Sequence, residues 1–241
     1  MHLQSLFDTH VFASVQKRLQ LEKMIGDAHW SFAMDDGILR FGNRLAYSAQ
    51  VLGTESDQSA MWQWSWAGAA SRIPDRLLGT AESLRAWGAQ RGLAEFTAAR
   101  SPASPRSGIW WGMLASGLVK AGACYAGAYD GGTLVLLITD LTYPPRRRTG
   151  AMQAANIMLQ AISDFTVVDQ RRAVDGYLDW LGWTVDMDGD DIVAHADDGQ
   201  DLRIAFDARR RIARATTGAN TKAGSETKAA PIALASAAAR A

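Results

Sequence analysis

The sequence predicts an α+β protein, an antiparallel sheet meander packed by helices and followed by a smaller helix-plus-antiparallel-sheet unit. Three features carry that prediction. Over residues 5–25 apolar side chains recur at helical spacing, with Phe7, Val11, Phe12, Val15 and Leu19 on one side and Gln16, Lys17, Arg18 and Glu22 on the other. From Trp30 the period drops to two, and Asp- and Gly-rich turns follow at short intervals. Trp62, Trp64 and Trp66 then stand two apart within residues 61–67. A strand puts all three indoles on one face, whereas a helix scatters them.

The elements follow in order. Gly26 ends the first helix. Trp30, Phe32 and Met34 alternate with small or polar residues up to the hairpin turn Asp35-Asp36-Gly37. Residues 38–41 return, Gly42-Asn43 turns again, and Leu45, Tyr47, Ala49 and Val51 form the next strand. A polar loop over 53–59 leads into the tryptophan strand. Four strands so closely joined make a meander whose apolar face needs helices over it.

Pro74 opens one such helix, with Asp75 in its first turn and Leu77, Leu78, Leu84 and Trp87 as its apolar stripe. A Pro- and Ser-rich loop over 101–107 precedes residues 109–129, an apolar stretch about as long as a bilayer span. Lys120 near its middle and its repeated glycines argue for a buried helix followed by a turn, and no membrane association is expected. Residues 133–141 read as a buried strand between Asp130-Gly131-Gly132 and Pro144-Pro145, and 149–165 as another helix.

A second unit begins near Asp169. Ala173, Val174, Tyr177, Leu178 and Leu181 are the inner face of a helix over 171–181, and strands follow at 183–187, 192–196 and 202–206, with a fourth at 211–215. Helix, alternating strands and Asp/Gly turns in that order echo residues 5–41, as a faint internal duplication would. From Thr216 the chain is Ala, Thr, Ser and Lys without an aromatic residue, a composition that buries no core. The expected division is an α+β domain over 1–167 with the tryptophan-rich sheet, a helix-plus-meander unit over 168–215, and a disordered tail over 216–241.

With 25 basic and 25 acidic side chains in 241 residues the net charge is zero, so no global field attracts nucleic acid or anionic lipid, and no nucleic-acid partner is expected. Asp8, Gln16, Lys17, Arg18 and Glu22 interrupt any secretory apolar core near the N-terminus. Cys124 is the single cysteine and cannot form an intrachain disulfide, which points to a reducing, cytoplasmic setting.

The run Val51-Leu52-Gly53-Thr54-Glu55, then Trp62-x-Trp64-x-Trp66-Ala67 ahead of a Pro-started helix, resembles an uncharacterised bacterial family, the domain of unknown function six-eight-eight-two. The Tyr129-Asp130-Gly131-Gly132 turn and the Arg171-Arg172-Ala173 helix fit the same pattern. In that family the tryptophan strand commonly ends in Asn, where this chain has Gly68; any polar contact made by that Asn is lost here. The resemblance implies a bacterial α+β protein of intracellular type over residues 5–215. It brings no activity, cofactor or catalytic residue.

Searching the residues for chemistry removes more than it adds. His2, His10, His29 and His195 are scattered, with no His-x-x-x-His or Cys-x-x-Cys partner, so no zinc site is expected. Asp186, Asp188 and Asp190 alternate as in a calcium loop and Asp197 holds a twelfth position, but Asp191 stands where the loop needs Gly; a solvated hairpin turn is the better reading. Neither a Gly-x-Ser-x-Gly elbow nor a phosphate-binding glycine loop occurs, Cys124 reads as a buried hydrophobe, and no cofactor or metal is expected. The pairs Asp35-Asp36, Asp190-Asp191 and Asp197-Asp198 fall in turns, and the runs 146–148 and 209–211 of arginine sit at element ends without an aromatic platform.

What remains is aromatic. Trp62, Trp64 and Trp66, with Trp30, either nucleate the core or line a cleft that takes a small ligand or a protein partner's apolar anchor. Glu55 and Asp57, in the loop before the tryptophan strand, are the carboxylates to watch, because an aromatic wall raises a carboxyl pKa as general-acid work requires. The leading expectation is a non-catalytic domain that binds a partner or small ligand over the aromatic sheet. The rival is a hydrolase-like enzyme using Glu55 or Asp57.

Overall fold

A computed structural model describes residues 2–68, 73–144 and 148–219, together with the backbone of 230–232. By its contacts the chain divides into two units, Met1–Leu3 with Gln16–Pro145, and Gln4–Val15 with Arg146–Ala241. This draws the line differently from the expected boundary at 167. The first helix, α1 (Leu3–Ile25), contributes residues to both units, and the helix before 167 belongs with the C-terminal sheet.

In the first unit β1 (Trp30–Ala33), β2 (Ile38–Phe41), β3 (Leu45–Ser56) and β4 (Met61–Trp64) form the antiparallel meander that the alternation predicts. β5 (Arg100–Pro102) lies beside β4. The hairpin β6 (Ala123–Tyr129) and β7 (Gly132–Ile138) completes a seven-stranded sheet by pairing β7 with β3. Two further helices belong to this unit, α2 (Gly79–Gln90) and α3 (Gly108–Leu118).

Several elements differ from the sequence reading: Pro74 precedes only a 3-10 turn over Asp75–Leu77, with α2 starting at Gly79, and β5 enters the stretch read as a loop from 101. The stretch 109–129 is a helix only as far as Leu118; what reads as its end is the strand β6, which pairs with β7 along its length, and Gly127 leaves room there for the Trp30 ring, since an added Cβ would lie 2.5 Å from the indole. β3 continues through Ser56 instead of ending near Val51, since β7 pairs with it to Ser56, so Glu55 is a strand residue and not a loop residue. The tryptophan strand stops at Trp64. Ser65 is buried, its hydroxyl donates to Val51 O at 2.7 Å, and residues 65–67 turn into a single 3-10 turn that carries Trp66 off the strand.

The sheet has packing on both faces, although β1, β2 and the start of β3 leave alternate residues exposed. One face holds Leu39, Phe41, Tyr47, Val51, Leu136 and Ile138 under Leu21 and Ile25 of α1, with Trp30 packed at its margin. The other lies against α3, whose Gly108 and Gly112 sit so close to Val135 that a Cβ at either would come within 2.9 Å of it.

The second unit contains α4 (Ala151–Asp164), α5 (Gln170–Leu181) and an antiparallel sheet in the order β12-β11-β10-β9-β8. Its strands are β8 (Thr184–Asp188), β9 (Asp191–His195), β10 (Gln200–Phe206), β11 (Ile212–Ala219) and β12 (Ala230–Ile232). α5 presents Ala173, Val174, Tyr177, Leu178 and Leu181 inward, as the sequence predicts, and Gly182 closes it in the left-handed conformation. The expected tail from 216 begins as strand: Thr217 stands opposite Leu202, faces the core and is buried, and 230–232 pair with β11. Residues 220–229 and 233–241 of that tail, and Arg146 and Arg147 of the first arginine run, lie outside the described residues.

Candidate functional site

Glu55 stands on β3 directly opposite Trp62 on β4 and Thr133 on β7, so the carboxylate and the aromatic wall do meet. Its Oε2 accepts the backbone N–H of Gly108, the first residue of α3, and Ser107 at that helix's N-cap gives no side-chain bond. A carboxylate there satisfies an otherwise orphaned helix donor and meets the positive end of the helix dipole. Glu55 therefore has a structural task that accounts for its position.

Trp62 and Trp64 are 0 % and 1 % exposed. Their rings meet edge-on at 5.5 Å, and Trp111 of α3 lies stacked on Trp62 at 6.4 Å and edge-on to Trp64 at 5.0 Å. Phe96 closes the group at 5.6 Å from Trp64, whose indole N–H donates to Glu95 O at 3.1 Å. Gly53 is required beneath them, because a Cβ there would lie 2.5 Å from the Trp62 ring and 2.4 Å from Gln63 O. Rings enclosed this way offer no face to a ligand.

The other candidates lie apart from this cluster. Trp66, half-buried on its 3-10 turn, has the Arg85 guanidinium 4.1 Å over its ring. Trp30 packs on the opposite face of the sheet, 5.7 Å from Tyr125. Asp57 is exposed in the β3–β4 turn, where its backbone N–H donates to Gly131 O at 3.1 Å. Gly68 closes the 3-10 turn by donating to Ser65 O.

The sequence reading missed the arginines around the aromatic group. Besides Arg85 on Trp66, Arg91 lies 4.5 Å over Trp87 and Arg106 lies 5.6 Å over Trp110. Arg100 donates to Gln63 Oε1 at 2.7 Å, and Arg106 pairs with Glu95 at 3.7 Å. Arg85 and Arg91 are exposed. The signal was available for one pair: Trp87 and Arg91 stand four apart on a helix, the spacing at which side chains meet.

Cys124 is buried and its thiol is pushed up to about 12 by burial, which leaves it inert. Lys17 reaches the end of α3, donating to Ala121 O at 2.8 Å and Ser116 O at 3.2 Å; burial draws its ammonium down to about 8.

In the second unit the polar face of the sheet brings together three residues that no sequence spacing joined. His195 Nδ1 lies 2.7 Å from Asp201 Oδ1 and its Nε2 lies 3.1 Å from Asp186 Oδ2. Asp201 is buried and Asp186 half-exposed. Both carboxylates raise the imidazole's proton affinity, Asp201 most. Asp186, Asp188 and Asp190 do not ring a cavity: the first two lie on β8 and the third in the turn after it. Among the described residues no group of three or more His, Cys, Asp or Glu is placed to hold a metal ion, and no helix is long and apolar enough to cross a membrane.

These features define an α+β protein built on antiparallel sheets, with an enclosed tryptophan core bordered by arginines. A family model matches residues 4–141, and the chain belongs to that family, described as a family of unknown function (DUF6882). No curated protein and no solved structure matches it.

Proposed function

We propose that this is a bacterial, cytoplasmic domain without a catalytic role, which binds a protein partner at the arginine-bordered margin of the tryptophan core. The observation that supports it is the pairing of half-buried indoles with exposed guanidinium groups, Arg85 on Trp66 and Arg91 on Trp87. An arginine stacked by its face on an indole is held in place, while its N–H edge can still donate to a partner's carboxylate. Trp and Arg are also the side chains that most often carry binding energy at interfaces. Of the tryptophans singled out from sequence, Trp66 belongs to this surface, while Trp64 lies beneath Trp87 through Phe96, which touches both rings. The rival, a hydrolase with Glu55 as acid, is weakened by the engagement of that carboxylate at the start of α3.

Affinity purification on the full chain separates the two. Wild type and Glu55→Gln should retain the same partner, identified by mass spectrometry, whereas the double variant Arg85→Glu/Arg91→Glu should lose it while losing no more stability, by urea unfolding, than the about 1–2 kcal/mol that two stacking contacts supply. Equal retention by the double variant overturns the proposed surface. A turnover abolished by Glu55→Gln at unchanged stability would establish the rival instead.

A further inference from the structure

We infer that His195 is a proton-operated latch on β8, the open edge strand of the second unit's sheet. β8 pairs with β9 on one side and ends the sheet on the other. Little apolar burial holds it, because Val185 is 38 % exposed and Met187 54 %. A strand so placed opens locally at low cost unless side chains tie it down.

The tie is His195. It stands opposite Asp201 on β10 and Thr184 on β8, which makes Asp186 its diagonal neighbour on the same face. Each ring nitrogen lies within hydrogen-bond distance of a carboxylate oxygen, at 2.7 and 3.1 Å, and a carboxylate only accepts. Only a ring protonated on both nitrogens satisfies both contacts, and that imidazolium bridges three strands. Other side-chain attachments of this hairpin are exposed, among them Arg203 to Asp188 at 3.5 Å, and Arg171 to Met187 Sδ at 3.5 Å and Asp190 O at 2.9 Å.

Among the described residues, the charged groups on this face of the sheet are Asp186 and Asp188 from β8, Asp191 on β9 itself, and Asp201 and Arg203 from β10; β11 presents Thr216 and Gly218 opposite the last two. When His195 loses a proton, the N–H that stays is the one on buried Asp201, where the bond is shorter. Nε2 then turns a lone pair on the Asp186 carboxylate, and that link becomes repulsive. Without the bridge to β10, β8 is held by its backbone bonds alone and opens locally more often, uncovering the β9 edge when it does. The carboxylates raise the imidazole's proton affinity in the folded state, so the latch is fully closed below the reference value of about 6.5 and opens as pH rises through the folded value.

NMR on the full chain tests this in two readings. At pH 6.5 the His195 ring nitrogens should both show imidazolium shifts, and its titration midpoint should lie above the reference value of about 6.5. Across that midpoint the exchange protection of the β8 amides, corrected for the intrinsic rate, should fall by up to tenfold for each unit of midpoint elevation, while β10 stays protected. Asp186→Asn should remove the pH step without unpairing β8. A neutral His195 at pH 6.5, flat β8 protection through its titration, or a step that survives in Asp186→Asn would each overturn the latch.

Discussion

Glu55 illustrates how this chain spends its carboxylates. The N-cap residues of α1 to α4 form no side-chain cap bond, and α5 alone among these helices is capped locally, by Asp169 on Arg172 N at 2.9 Å. Acceptors come instead from elsewhere: Gln50 Oε1 to Thr80 N at 3.4 Å for α2, Glu55 to Gly108 N for α3, and Asp198 Oδ2 to Ala151 N at 3.2 Å for α4. Asp8 accepts from Val168 and Asp169 N–H just ahead of α5. None of this is legible in sequence, because a capping box is read at a spacing of three and these partners are dozens of residues away. A carboxylate beside tryptophans looks like an acid catalyst until the helix above it is in place. Glu55→Ala should therefore lower stability by about 1–2 kcal/mol, as loss of an N-cap acceptor does, and Glu55→Gln by only a few tenths, since the amide oxygen still accepts. Urea denaturation checks this, and equal costs for the two variants would show that the carboxylate's charge, not its hydrogen bond, matters at α3.

At the scale of elements, alternation located β1 to β4 and helical spacing located α1, α4 and α5 to within a few residues. Those signals work because one face of each element meets a core and the other meets water. They failed where that contrast is absent. β6 has the composition Ala-Cys-Tyr-Ala-Gly-Ala-Tyr, whose small residues read on from the helix before it; its pairing with β7 makes it strand, and Gly127 lets the Trp30 ring lie against it. Trp66 keeps the two-residue period of Trp62 and Trp64 although the strand has ended, since the period of a sequence cannot register a hydroxyl, Ser65, tying the backbone into a turn. Of the candidate site residues, Glu55, Trp62 and Trp64 share one face as the spacing implies, while Trp30, Asp57 and Trp66 are set apart by topology. Gly127→Ala makes the β6 argument testable. The added methyl should cost about 1–3 kcal/mol by overpacking against Trp30, and Trp30→Leu should relieve part of that cost in the double variant. Strict additivity of the two changes would mean that the ring does not rest on this glycine.

For the whole molecule, the zero net charge leaves recognition to local groups instead of a long-range field. The exposed arginines on Trp66 and Trp87 are such groups, and each stacking contact adds only about 0.5–1 kcal/mol at an exposed site, so removing them should change binding far more than folding. That division depends on the inner tryptophans being closed to solvent. Tryptophan fluorescence with acrylamide, recorded for wild type, Trp62→Phe and Trp64→Phe, measures it directly. The emission lost in either variant should be blue-shifted and resistant to quenching; a red-shifted, readily quenched component assigned to either ring would mean that they line a cleft, contrary to the enclosed core described here.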